Sequence, residues 1–369
     1  MSDLCWRCQK HNASVLRAQQ DGRPLEEQRA AVAAHLEHLD EVKKTREQYR
    51  EQKTAAQEAV KQLRESGKLG DKKLDPSVPT VPNSEDITMH YSFDFAQQVH
   101  FPSKPDQPGP IYFMTPRKCG IFGVCCEGFP QQINYLIDES VNTSKGANGV
   151  ISYLHHFFEN YSLGETSVQL HCDNCSGQNK NKYMLWYLAW RVMKDLHSEI
   201  SLHFMPAGHT KFAPDWCFGL LKKQYRRSTV ECLADLQVVV RRSTAQSQIN
   251  LPQLVGSENG EVFVDTYNWS DFFEGFKPLV GIKSFYQFRF EKAHPGVIFY
   301  KSRLDDPWKH CRLAPEDISH LPDMPAKLLP PLLSQERLAY LHNNIHQFIE
   351  NPKNANVVCP DPVGYKWAK

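Results

Sequence analysis

Three aspartates carry the strongest chemical signal in the sequence. Asp94 stands between Phe93 and Phe95, where a carboxylate among apolar neighbours needs a partner. Asp173 follows the stretch carrying Val168, Leu170 and Cys172, and Asp215 follows Pro214 at the head of another apolar segment. Brought together, three carboxylates would repel one another unless a cation neutralised them, and hard oxygen donors suit Mg²⁺ or Mn²⁺. Such ions can activate a water or a 3′-hydroxyl and stabilise the leaving oxygen in phosphodiester chemistry. Plainer roles stand beside this one. Asp215 is favoured in a helix's first turn by the dipole alone, and Asp173 with Asn174 can simply begin a turn.

Other residue groups suggest binding. Cys5 and Cys8 form a C-x-x-C with His11 three residues on. Zinc takes four ligands, so this is at most a partial Zn²⁺ site. Cys172 and Cys175 have the same spacing, but an alternating strand turns Cys172 into the core, where cysteine is common. No H-x-E precedes a P-C-x-x-C, which argues against a zinc deaminase. Lys222, Lys223, Arg226 and Arg227 lie directly after Asp215, with further basic residues at Arg241, Arg242, Arg117 and Lys118. The first four could contact phosphates or serve as the solvated basic end of a helix. Trp186, Tyr187 and Trp190 share a segment with Leu185, Leu188 and Val192 and read as packing.

The elements that must position the acids follow from periodicity. Met89, Tyr91, Phe93 and Phe95 alternate as in a strand. Ile111–Met114 reads as a second strand with Gly120 onward as its continuation or partner, and Gln132–Asp138 reads as a third. Lys145–Asn160, Lys182–Leu196 and Asp215–Arg227 predict helices, with strands at Ser167–Cys172 and Ile200–Met205 between them. The order β-β-β-α-β-α-β-α predicts an α/β fold for Met89 to Arg227, a ribonuclease H-like mixed sheet flanked by helices. Helical crossovers make its later strands parallel to the first. In such a sheet the first and fourth strands can be neighbours, which would bring Asp94 and Asp173 to one edge.

Outside this core (87–228), the sequence divides into a cysteine-containing segment (1–24), a long amphipathic helix (25–67), a linker (68–86) holding Gly70, Pro76, Pro79 and Pro82, and a small α+β C-terminal region (229–369). The last includes a hairpin (Ser284–Lys292 with Gly296–Arg303) and a final helix from Ser334 to Glu350. In the long helix Val42, Tyr49, Ala56 and Leu63 recur every seven residues. The companion series Leu39, Arg46, Lys53, Val60 is half charged. This supports either weak pairing in a homodimer or a stripe packed on the same chain.

The 43 basic and 42 acidic residues leave a net charge of +1, which argues mildly against a dedicated nucleic-acid binder. Eleven cysteines without a secretory signal read as reduced thiols or metal ligands. No apolar run is long enough to cross a bilayer, and a nuclear or cytoplasmic setting follows.

The segments HYSFDFAQQVHFP, CGIFGVCCEG, ISYLHHFFEN, LHCDNCSGQNKNKYMLWYLAWR and AGHTKFAPDWCFGLLKKQYRR resemble a family of uncharacterised animal proteins related to DDE transposases. The likeness continues through GIKSFYQFRF and the last helix. It implies a transposase-derived polynucleotidyl transferase or nuclease acting on DNA, active or decayed, with Asp94, Asp173 and Asp215 as the three metal ligands. Asn174, Gln178, Asn179 and His209 would support those ligands or orient substrate. It also implies further sequence upstream of Met1. Many transposases end the triad in Glu, and Glu231 is the alternative third acid. The other expectation is a non-catalytic DNA- or protein-binding descendant of a transposon. An exonuclease-like relative would need a D-x-E at Asp94, which Phe95 and Ala96 exclude.

Overall fold

The computed structural model describes residues 5–67, 69, 74, 80–106, 109–245, 248–363, 365 and 367. Apolar alternation around Asp94 produces the long central strand β1 (Glu85–Phe101). On one side β2 (Arg117–Cys126) pairs with it antiparallel, and on the other β4 (Glu165–Cys172) pairs parallel. β3 (Gln131–Asp138) completes the hairpin beyond β2, and β5 (Glu199–Phe204) lies parallel beyond β4. The crossovers are α3 (Ala147–Asn160) and α4 (Lys182–Met193), and α5 (Ala213–Tyr225) follows β5. The order expected for this region is thus observed, with β1, β4 and β5 parallel.

Strands from the chain after residue 228 extend the same sheet at both edges. β6 (Asn250–Leu254) joins β3. β7 (Gln287–Glu291), β8 (Val297–Lys301) and β9 (Lys309–Arg312) continue beyond β5. The nine-stranded order is β6-β3-β2-β1-β4-β5-β7-β8-β9, mixed and mostly antiparallel. The predicted hairpin appears as β7 and β8.

Each face of the sheet has its own cover. Tyr91 and Phe93 of β1 join Phe122 and Val124 of β2 and the apolar residues of α3 and α4 in the main core. Trp186, Tyr187 and Trp190 are buried there. Trp190 lies 5.6 Å from Trp269 in the short α7 (Trp269–Phe272), so these aromatics are packing groups, as their spacing implied. Cys172 is buried in the same core, and all eleven cysteines are free.

The opposite face, carrying His90, Ser92 and Asp94, is covered by α2 (Leu25–Glu65), α5 and α6 (Leu233–Arg242). α2 follows the shorter α1 (Trp6–Gln20). Val42, Ala56 and Leu63 of its heptad series are buried, and Tyr49 between them donates a hydrogen bond to Glu127. This seam is therefore taken up within the chain. Below it lies a polar layer: Gln52 donates to Gln169 at 3.0 Å, and His90 Nε2 meets His171 Nδ1 at 2.8 Å.

Two predicted elements differ. Ile111–Met114 is no strand. Gly109–Phe113 forms a 3₁₀ turn with Tyr112 and Phe113 exposed. Pro110 fixes φ and lacks an N–H, which suits a turn better than a ladder, and β2 already occupies that side of β1. The final helix is regular only over α8 (Gln335–Tyr340) and continues as a π turn, Leu341–Ile345. Asn344 Nδ2 donates to the Tyr340 carbonyl at 3.0 Å, a side-chain bond that competes with the regular ladder. A last helix, α9 (Pro352–Val358), closes the chain. Of the predicted linker, Gly70, Pro76 and Pro79 lie outside the described residues.

Candidate active site and metal centre

The acids meet because of strand register. Ser92 pairs with His171 at the end of the β1/β4 ladder. Two residues further on, Asp94 and Asp173 emerge side by side where β4 ends. The neighbouring β1/β2 register shifts between Ala96 and Val99, a bulge of the kind that bends a strand beside functional sites. Asp215 arrives from the first turn of α5, where its Oδ2 accepts the Phe212 N–H at 3.1 Å.

Their electrostatics show the proximity. Burial, then the charges of Asp173 and Asp215, push Asp94 up to about 7, against the Phe95 N–H bond that lowers it. Asp215 is raised by the packing around its carboxylate and, after the opposing effects of the Phe212 N–H and Lys211, by Asp173. Asp173 is held by the Cys175 N–H at 3.0 Å and the Asn179 side-chain amide at 2.6 Å. The three carboxylates do not close into a tight cage. Among the described residues the one group of such ligand atoms all within 4.8 Å of one another lies elsewhere.

A groove of about 510 Å³ leads away from Asp94 and Asp215 between β1 and α5, and Lys222 and Arg226 line it. Lys223 and Arg227, also exposed, continue along α5 and its end. A second cavity of about 650 Å³ opens on the other side of Asp215, lined by Lys53, Lys211 and Trp216. Trp216 is 53% exposed, and sequence reasoning passed over it. The groove depends on Gly123, which pairs with Asp94: a Cβ there would come within 2.7 Å of the Phe218 ring of α5. Gly123→Ala is expected to push α5 outward and cost about 1–3 kcal/mol of stability, read as a lowered thermal midpoint.

The residues expected around the triad separate. Asn179 supports Asp173. Asn174 instead donates to the Met205 carbonyl at 2.6 Å and accepts from Lys180 at 3.1 Å. Lys180, unremarked in the sequence, is buried, and burial lowers it to about 8. Gln178 lies in the turn after Asp173, its N–H donating to the Cys175 carbonyl at 3.2 Å. Glu231 is not a third acid. Its carboxylate accepts from the Glu350 and Asn351 N–H groups and from Asn354, tying down the start of α9. Arg117 is fully buried and cannot meet a phosphate.

His209 is the largest departure. It groups with cysteines and not with the acids, its Nε2 3.4 Å from Cys8 Sγ. Cys5 Sγ lies 3.3 Å from Nε2 of His38 on α2. Cys5, Cys8, His38 and His209 form one candidate metal-binding cluster. His11, the third member expected from spacing, is outside it, its ring 5.8 Å from that of His38. His38 lies on the same stripe as Val42 and Thr45, the one sequence clue that it faces inward.

No similar curated protein and no similar solved structure was found. The matched family span includes β2 through β8 with Asp173, His209 and Asp215, and leaves Asp94, Cys5, Cys8 and His38 outside. With just over half its length, residues 114–306, matching the family described as Domain of unknown function (DUF7869), the chain belongs to that family.

Proposed function

We propose that the chain is a transposase-derived polynucleotidyl transferase or nuclease of DDE type, acting on DNA, with a ribonuclease H-like core and Asp94, Asp173 and Asp215 as its metal-binding acids. The observation that carries the reading is the meeting of three carboxylates from β1, the end of β4 and the start of α5, where burial first and the Asp173 and Asp215 charges second push Asp94 up to about 7. The donor set fits Mg²⁺ or Mn²⁺, being all carboxylate oxygen. Bound there, such ions would supply activation of the attacking oxygen and stabilisation of the leaving one.

The chain's own residues then have distinct tasks. Asn179 and the Cys175 N–H fix the rotamer of Asp173. The Phe212 N–H fixes the rotamer of Asp215, which stays exposed in the first turn of α5. Lys222 and Arg226, with Lys223 and Arg227 beyond them, would track a phosphate backbone along the groove. A DNA substrate makes the nucleus the expected setting.

The test is cleavage of duplex DNA by the full chain with Mg²⁺ or Mn²⁺. Asp94→Ala and Asp173→Ala are each expected to reduce it by at least about 100-fold. Activity unchanged in both would overturn the mechanism. The open spacing of the carboxylates favours a second reading, a non-catalytic DNA- or protein-binding descendant of a transposon. DNA retention with no metal-dependent turnover would select it.

A further inference from the structure

We propose that Cys5, Cys8, His38 and His209 form a closed, tetrahedral Zn²⁺ centre that fastens the N-terminal helical pair to the loop delivering Asp215. The ligand atoms already have the right spacing. A zinc ion with Zn–S near 2.3 Å and Zn–N near 2.0–2.1 Å sets its ligand atoms roughly 3.4–3.8 Å apart. The two sulfur–nitrogen approaches are 3.3 and 3.4 Å, and all four atoms lie within 4.8 Å of one another. The donors come from three separate places: the start of α1, the body of α2, and the loop between β5 and α5.

Independent packing points to the same closure. Gly208, beside His209, has φ +79°, and a Cβ there would fall 2.5 Å from Cys5 Cα and 2.8 Å from its nitrogen. The loop therefore closes directly on the Cys5 backbone. Arg46 of α2 reinforces this by donating to the His209 carbonyl at 3.1 Å. Cys5 and His38 are only 6% and 4% exposed. Without an ion, Nε2 of the buried His38 ring meets a weak thiol partner, a poor return for burying an imidazole.

Four protein ligands leave no position for substrate, so the centre is structural. Two thiols would lose their protons to solvent as two Zn–S and two Zn–N bonds form, with neutral imidazoles and no change of oxidation state. None of the three carboxylates belongs to the cluster, and its test needs no activity.

The test is metal content of the full chain after exhaustive dialysis, with Co²⁺ substitution as an optical probe. One equivalent of zinc is expected, and the Co²⁺ form should show tetrahedral d–d bands with thiolate charge transfer. Cys8→Ser and His209→Ala should lose the metal, whereas His11→Ala should keep a full equivalent. Gly208→Ala removes no ligand but should weaken binding by about 10-fold or more, as distortion around a metal site does. Absence of zinc together with absence of the Co²⁺ bands in the unaltered chain would overturn the proposal whatever the variants do. So would a Cys5–Cys8 disulfide in its intact mass, or retention of metal by His209→Ala.

Discussion

Asp94→Asn is expected to make the metal-free protein more stable than the unaltered chain at pH 8, by on the order of 1–3 kcal/mol after allowance for solvent screening. The folded state pushes the Asp94 carboxyl from its ordinary 3.8 up to about 7, through burial first and the Asp173 and Asp215 charges second. Between those values the folded chain retains a proton that the unfolded chain has released. Stability therefore falls as pH rises from about 4 to 7, and the penalty is complete above that window. Asn has the shape of the acid without its charge and can still accept the Phe95 N–H, which Asp94 does at 2.7 Å. The advantage of the variant should shrink as pH falls toward 4.

Under the proposed metal binding by the three acids, a divalent cation is expected to reverse the ranking. It must displace the proton from Asp94, so Mg²⁺ should stabilise the unaltered chain increasingly as pH rises through about 7 and leave Asp94→Asn almost unaffected. Thermal melts of both proteins at pH 5 and pH 8, with and without Mg²⁺, measure these differences. A variant less stable than the unaltered chain at pH 8, with Mg²⁺ acting equally on both, would mean that Asp94 has a supporting partner and no shared field. Wild-type sites that are destabilised by their own charges are common where function needs those charges.

Arg117→Met should produce the largest loss of stability, about 3–5 kcal/mol. The guanidinium is fully buried and gripped on every side. Nε and Nη2 donate to the two oxygens of Asp138 at 2.9 and 2.7 Å. Nη1 donates to the Val358 carbonyl at 2.9 Å and Nη2 to the Glu258 carbonyl at 2.6 Å. One side chain thus joins the start of β2, the end of β3, the loop after β6 and the end of α9. Removing it leaves the Asp138 carboxyl in a dry interior, with Ser140 its remaining partner among the described residues. The double variant Arg117→Met with Asp138→Leu should recover part of the loss, because the stranded charge goes with its partner. Urea denaturation of the two variants measures both effects. A cost below about 1 kcal/mol for the single change would show that this junction does not hold the C-terminal segment in place.

Much of this was readable in the chain itself. Alternation at Met89, Tyr91, Phe93 and Phe95 specifies a strand because backbone geometry turns successive side chains to opposite faces. The same local rule marks the apolar run of α4 and the unbroken helix-forming composition of α2. It also put Asp94 in mid-strand, Asp173 just past a strand and Asp215 in a helix's first turn. Ile111–Met114 was misread because a short apolar run between prolines has no periodicity to separate strand from turn.

What only the tertiary structure decided is which local pieces meet. The pairing of Ser92 with His171 sets Asp173 beside Asp94, and strands from beyond residue 228 complete the sheet on both edges. Glu231 was drawn to α9 and Arg117 into the interior by partners far along the chain. The three aspartates come together, but in an open arrangement. The tighter cluster is the one that spacing left incomplete. Cys5 and Cys8 announce themselves as a pair, whereas His38 and His209 lie 33 and 201 residues away along the chain from the cysteines they face. Periodicity is a property of neighbouring residues, set by backbone sterics. Ligand convergence depends on strand register, crossovers and helix docking, which no local pattern encodes.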